Sequence, residues 1–146
     1  MKNAPAESGA PSTDNPEAVY YLSSPYTHPT ALGMESRYFA AQSIAYWLMT
    51  TRGHTLIEPI GMSHAKAKAF SMPTTYDFWQ RMNQNWIRKC DGVIVATMIG
   101  WHKSKGVTDE IAFATKLGIP VYYLDVHADP MRFTDTPKEK EEGDAE

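Results

Sequence analysis

The sequence predicts an α/β domain: an open parallel sheet of strand order 2-1-3-4, a possible fifth strand, and helices on both faces. Three observations predict it. Short apolar runs rich in β-branched and aromatic residues recur along the chain and read as buried strands. Segments with apolar residues at three- and four-residue spacing separate them and read as helices. From 93 to 124 the alternation is complete, as strand, polar loop, helix, glycine stop and strand, which is the βαβ unit of a parallel sheet.

In chain order, residues 1–17 are rich in Ala, Pro, Ser, Asn and Asp, lack periodicity, and read as a disordered leader. Residues 19–23 (Val-Tyr-Tyr-Leu-Ser) form the first strand, followed by the loop Ser24-Pro25-Tyr26-Thr27-His28-Pro29. A long helix is expected over 33–52, with Met34, Tyr38, Ala41, Ala45, Leu48 and Met49 on its inner face and Gly53 ending it. The second strand spans 55–59, and 61–75 reads as irregular apart from a possible helical turn over 65–70. A second long helix over 76–89 turns Phe78, Met82, Trp86 and Ile87 inward. The third strand occupies 93–96, and a loop with glycines at both ends runs from 100 to 106. The helix over 108–117 has Ile111, Ala112, Ala114 and Leu117 at helical spacing. Gly118 and Pro120 stop it before the strand at 121–124. The domain is expected over 18–127, and 128–146 is a polar tail, acidic and solvated from 138 onward.

Composition excludes several functions. With 146 residues, the chain suits one domain with a proper core. A net charge of −3 argues against a nucleic-acid polymer as partner. The single cysteine, Cys90, excludes an internal disulfide and a multi-cysteine metal site, and fits a reducing cytoplasm. No basic start leads into an apolar run and no stretch approaches spanning length, so no signal peptide and no membrane partner are expected. Gly-x-Gly-x-x-Gly, P-loop and Gly-x-Ser-x-Gly patterns are all missing, which argues against dinucleotide, nucleoside triphosphate and serine-hydrolase sites. His28, His64 and His102 are placed in loops, as acid/base groups or phosphate ligands, at spacings that match no zinc pattern. Neither a metal nor a cofactor is expected.

The strand order places the topological switch between strands one and three, so the loops that follow them face one crevice. Glu110 is expected there, in the first turn of a helix whose dipole favours the ionised carboxylate. A charged carboxylate facing a cleft suits nucleophilic attack. The competing reading is that Asp109 and Glu110 only complement the dipole. Tyr21 is placed to donate a hydrogen bond to Glu110, against a reading as core packing. Tyr20 and Tyr21 alternate faces, so only one of them can do so. Ser23 and Ser24 offer hydroxyls and backbone N–H groups to hydroxyls or phosphates, or serve turn chemistry beside Pro25. Arg37 suits bidentate phosphate binding, or a surface ion pair with Glu35 or another acid. Trp101 reads as an exposed ring that stacks on a base or a partner subunit. Asp77 stabilises a helix start, and Asn83 lies further along the same helix.

Four pieces together resemble the nucleoside 2-deoxyribosyltransferase superfamily, and most closely its uncharacterised DUF1937 group. They are Tyr-Leu-Ser-Ser-Pro-Tyr-Thr-His-Pro (21–29), Arg37, Pro59-Ile60, and Cys-Asp…Gly-Trp…Ser-x-Gly-Val-x-x-x-Glu…Leu-Gly-Ile-Pro-Val (90–121). The resemblance covers about 19–125 and implies a flavodoxin-like fold and cleavage or transfer at the N-glycosidic bond of a nucleoside or nucleoside 5′-monophosphate. It implies Glu110 as the nucleophile at the anomeric carbon and Tyr21 as the group that positions it. Ser104 and Asn83 fall where other members carry aspartates. The implied substrate site draws on Ser23, Ser24, Pro25, Tyr26, His28, Arg37, Asn83, Gly100, Trp101, Ser104 and Gly106. Members of the superfamily are oligomers. The tryptophans at 79, 86 and 101, with eight methionines, also suggest a homodimer or larger homo-oligomer. Two alternatives stand beside this reading: a non-catalytic nucleotide-binding module, motivated by Ser104 and Asn83, and an NAD-cleaving glycohydrolase.

Overall fold

Val93, Ile94, Val95 and Ala96 are wholly excluded from water, as a strand covered on both faces must be. A computed structural model describes residues 7–73 and 75–143. Its elements run β1 (Val19–Ser23), α1 (Ala31–Thr50), β2 (Thr55–Ile57), α2 (Pro59–Ala69), α3 (Tyr76–Arg88), β3 (Gly92–Ala96), a 3₁₀ turn (Trp101–Lys103), α4 (Lys105–Lys116), β4 (Val121–Asp125) and β5 (Arg132–Thr134). The sheet order is β2-β1-β3-β4-β5, with the first four strands parallel and β5 antiparallel on the β4 edge. This is the expected flavodoxin-like open sheet, with its fifth strand.

Period-two alternation divides the core. Tyr20, Leu22, Ile94, Ala96 and Leu124 face Ile44, Ala45 and Leu48 of α1. Tyr21, Val93 and Val95 face the opposite side, against Ile87 of α3 and Val107 and Ala114 of α4. Alternation therefore decides which β1 side chains can meet α4: Tyr21 and Ser23 do, and Tyr20 and Leu22 do not.

Several sequence expectations are corrected. Residues 61–69, read as mostly irregular, belong to α2. This helix is set by capping rather than by apolar periodicity: the Glu58 carboxylate accepts the Gly61 N–H, and Pro59 occupies the first turn. That helix also ends the second strand at Ile57, short of the expected 59. α1 begins at Ala31, where the Thr30 hydroxyl accepts the Gly33 N–H at 3.0 Å. Met49, expected inside, is exposed. In α3 Ile87 is buried as expected, but the other buried side chain is Asn83, while Phe78 and Met82 face outward. The helix is rotated so that Asn83 reaches a polar partner beneath it.

Both ends of the described chain are tied down. The Glu7 carboxylate pairs with Arg52 and accepts the Phe133 N–H at 3.1 Å, and Pro11 is buried. The expected disordered leader is thus anchored from Glu7 on, and residues 1–6 lie outside the described residues. The tail is not simply solvated. Phe133 of β5 fills the core, the Trp101 indole N–H donates to the Lys138 carbonyl at 2.9 Å, and the Gly100 N–H donates to the Lys140 carbonyl at 2.8 Å. Residues 144–146 lie outside the described residues.

Candidate functional site

A cavity of about 610 Å³ opens beyond the carboxyl ends of β1 and β3, at the switch point. Glu110 lies in its wall and is 5% exposed. α4 starts at Lys105, with the Ser104 hydroxyl capping it by accepting the Val107 N–H at 3.3 Å. Glu110 is therefore in the second turn, not the first, where the helix dipole has largely faded. Its charge is governed by burial and by the donors around it, with Tyr76 lending support from α3. The Tyr21 hydroxyl donates to Oε2 at 2.9 Å, the Ser23 hydroxyl to Oε1 at 2.8 Å, and the Asn83 amide to Oε2 at 3.3 Å.

Burial disfavours the carboxylate and outweighs the donors that stabilise it, so the carboxyl is pushed up to about 7. The expectation that the dipole keeps it fully ionised is corrected: it exchanges its proton near neutrality. Burial beside that carboxyl also pushes the Tyr21 hydroxyl well up from its ordinary value, so Tyr21 keeps its proton and remains a donor. Asp109 has a different setting. It pairs with Lys105 at 3.0 Å on the helix surface, and Lys105 also holds Asp77 at 3.1 Å. Of the acidic pair, Glu110 faces the crevice.

Two buried polar atoms on cavity-lining residues have no hydrogen-bond partner among the described residues, the Ser24 hydroxyl and the Asn83 side-chain carbonyl, while the Tyr76 hydroxyl is turned toward Glu110. Buried polar groups are ordinarily paired, and an orphan facing a cavity is a group a ligand can satisfy. Gly106 lets α4 approach Tyr76 closely, because a Cβ there would stand 3.0 Å from the Tyr76 ring. Pro59, Ile60 and Ala67 of α2, with Trp79 of α3, give the same cavity an apolar wall.

The other sequence-predicted residues sort as follows. Tyr26 lines the cavity, and its hydroxyl meets His64 Nδ1 at 2.7 Å. His64 is not in a loop but is buried in α2, stacked on Tyr38, with Nε2 at 3.2 Å from Glu35. Pro25 is fully buried and supports the loop from beneath. Ser104 and Gly100 line the cavity. Gly100 has φ +81°, a conformation suited to glycine. Arg37 lines it too and donates to the Thr27 carbonyl. Of its candidate acid partners, Glu35 instead holds Lys68 at 2.8 Å, and the field of Glu142 reaches Arg37. His28 lies outside the Glu110 cavity, in an adjoining one that shares Arg37.

Trp101 is a correction. It is 7% exposed, packs on Tyr123 and does not line the cavity, because the tail covers a ring that the sequence alone leaves bare. Sequence reasoning missed Tyr76 as a site residue. The helical period could have found it, since it sits two turns before Asn83 on the same face. It also missed Lys103, Glu141 and Glu142, which line the cavity. The two glutamates carry no local signal, because they arrive through the return of the tail.

Among the described residues, no group of three His, Cys, Asp or Glu side chains is placed to hold a metal ion, and no helix is long and apolar enough to cross a membrane. No curated protein matches the sequence. Residues 18–126 match the family model described as a domain of unknown function, DUF1937, and the chain belongs to that family.

Proposed function

We propose that the protein cleaves or transfers at the N-glycosidic bond of a nucleoside or nucleoside 5′-monophosphate, as an N-glycosidase or N-deoxyribosyltransferase with chemistry like that of the nucleoside 2-deoxyribosyltransferase superfamily. One observation carries the reading: a buried glutamate, oriented by three donors and titrating near neutrality, sits beside orphaned polar groups in a cavity at the switch point. In the ionised form a Glu110 oxygen attacks C1′ through an oxocarbenium-like transition state. The C1′–N bond breaks, its electron pair leaves with the base, and the base takes a proton from solvent. The resulting glycosyl ester is resolved by water or by a second base, the two-step logic of retaining glycosidases. Tyr21, Ser23 and Asn83 hold the carboxylate in place. Ser24 and Tyr76 hydroxyls meet the sugar, and the apolar wall takes the base.

The test is a panel of nucleosides, nucleoside 5′-monophosphates and NAD, with released base identified by chromatography. Release by the native protein and none by Glu110→Gln is the expected result. No release from any member by folded protein overturns the reading. Nicotinamide release alone would assign NAD cleavage instead. The neutral Asn83 amide against Glu110, where an acid would protonate a leaving base, favours one further reading: a nucleotide-binding module without turnover. Tight nucleotide binding unchanged in Glu110→Gln, with no product, would establish it.

The setting proposed for this reaction is the cytoplasm, and the proposed assembly is a homodimer or larger. Leu32, Phe39 and Tyr46 recur at seven-residue spacing on α1 and are 80%, 63% and 70% exposed, an apolar stripe suited to a second copy. A monomer by light scattering at micromolar concentration would refute the assembly.

A further inference from the structure

The returning tail lines the cavity with Glu141 and Glu142 and sets them against Lys103 and two imidazoles. Glu142 Oε1 lies 3.3 Å from His28 Nε2, and Glu141 pairs with Lys103 and reaches His102 Nε2 at 3.4 Å. Arg37 borders both the Glu110 cavity and the adjoining one, and Glu142 lines the same two spaces. We propose that Arg37, His28 and Lys103 form an anion subsite that the chain fills with its own Glu141 and Glu142 carboxylates, and that a phosphomonoester on the substrate displaces them. The proposal rests on the function proposed above and narrows its substrate to the phosphorylated class.

Three features support the exchange. First, Arg37 is half-buried, and its guanidinium loses solvation there, offset in part by the field of Glu142. A half-buried guanidinium at a cavity wall is suited to bidentate phosphate binding. Gly100 leaves it uncovered, since even a Cβ there would stand 3.4 Å from Nη2. Second, the glutamate side chains are 49% and 74% exposed, so their pairs are screened and weak. A phosphomonoester with up to two charges outcompetes single carboxylates for the same donors. Third, the backbone anchors of the tail are separate from the carboxylates. They are the Trp101 and Gly100 N–H groups on the carbonyls of Lys138 and Lys140. The two side chains can therefore swing out while the tail stays docked. Arg37, Lys103 and Glu110 line one cavity, so a sugar at Glu110 and a phosphate at Arg37 can belong to one ligand.

The experiment is a titration of the full-length protein with inorganic phosphate, followed by ¹⁵N NMR, with a nucleoside and its 5′-monophosphate as parallel arms. The Gly100, Glu141 and Glu142 amides are expected to shift with phosphate and with the monophosphate, but not with the nucleoside. Glu141→Gln/Glu142→Gln is expected to bind phosphate about fivefold more tightly, since a weakly held competitor has been removed. Arg37→Gln should weaken it tenfold or more, with Arg37→Lys, which keeps the charge and loses the fork, in between. Glu139→Gln changes charge on the same segment outside the cavity and should change nothing. Phosphate binding indifferent to Arg37, or equal tightening by Glu139→Gln, overturns the subsite. Binding is read without turnover. A phosphate response in a protein that cleaves no glycosidic bond therefore upholds the subsite while the proposed reaction falls. Nucleoside cleavage without that response does the reverse.

Discussion

Glu110→Gln removes a charge while keeping size and shape, and the structure sets what that does at each pH. In the folded protein the carboxyl is pushed from an ordinary 4.5 up to about 7 by burial. A folded-state value above the unfolded one means that the folded protein holds the proton more tightly. Below 4.5 both states are protonated and Glu110 makes no difference. Between 4.5 and 7 the unfolded chain releases the proton first, so stability falls as pH rises, and above 7 the loss is complete. At 1.36 kcal/mol per unit, the full loss is about 3 kcal/mol. Glutamine does not titrate. Its carbonyl can accept from Tyr21 and Asn83, and its amide can face a rotated Ser23 hydroxyl, so only the charge-assisted share of those bonds goes, about 1 kcal/mol. Urea denaturation of both proteins at pH 5 and pH 8 should therefore show the variant gaining about 2–3 kcal/mol on the native protein between the two. Glycosidic cleavage should fall by orders of magnitude at pH 8, where the native carboxyl is ionised. Asp109→Asn is the control. It loses one surface pair with Lys105, moves stability by less than about 0.5 kcal/mol, and leaves activity intact. Parallel stability curves for native protein and Glu110→Gln would refute the buried, raised carboxyl. Full activity in Glu110→Gln, or none in Asp109→Asn, would refute the nucleophile assignment.

The proposed cleavage needs ionised Glu110, and on that mechanism the pH–rate profile should rise through about 7. Tyr21→Phe removes a donor that stabilises the carboxylate, so its profile should shift to higher pH with a fall in kcat. A stability loss of about 1 kcal/mol should accompany it, and an unmoved profile would refute the positioning role. Trp101→Ala empties a buried ring site under the tail and should lower stability by about 3–5 kcal/mol in denaturant melts, where a surface ring would lose little.

The strand order was legible in the sequence because runs such as 93–96 declare their burial locally, and the helices between them declare their period. Given that order, a meeting of one β1 tyrosine with Glu110 was legible, since period two allows only one of Tyr20 and Tyr21 to point at the switch point, and the family resemblance named Tyr21. Other features lay beyond any local pattern. The 100° between Asp109 and Glu110 shows that one of them faces the crevice, but choosing Glu110 needs the register of α4, which the Ser104 cap sets from outside the apolar period. Phe78 and Met82 are more apolar than Asn83, yet the rotation of α3 is decided by the match of the Asn83 amide to a buried carboxylate. Trp101 is covered, and the crevice partly lined, by residues that follow it in the chain by about forty positions. The proton affinity of Glu110 belongs wholly to the tertiary structure. Residue type sets a carboxyl near 4.5. Only the convergence of β1, α3 and α4 around it removes the water that would otherwise hold its charge.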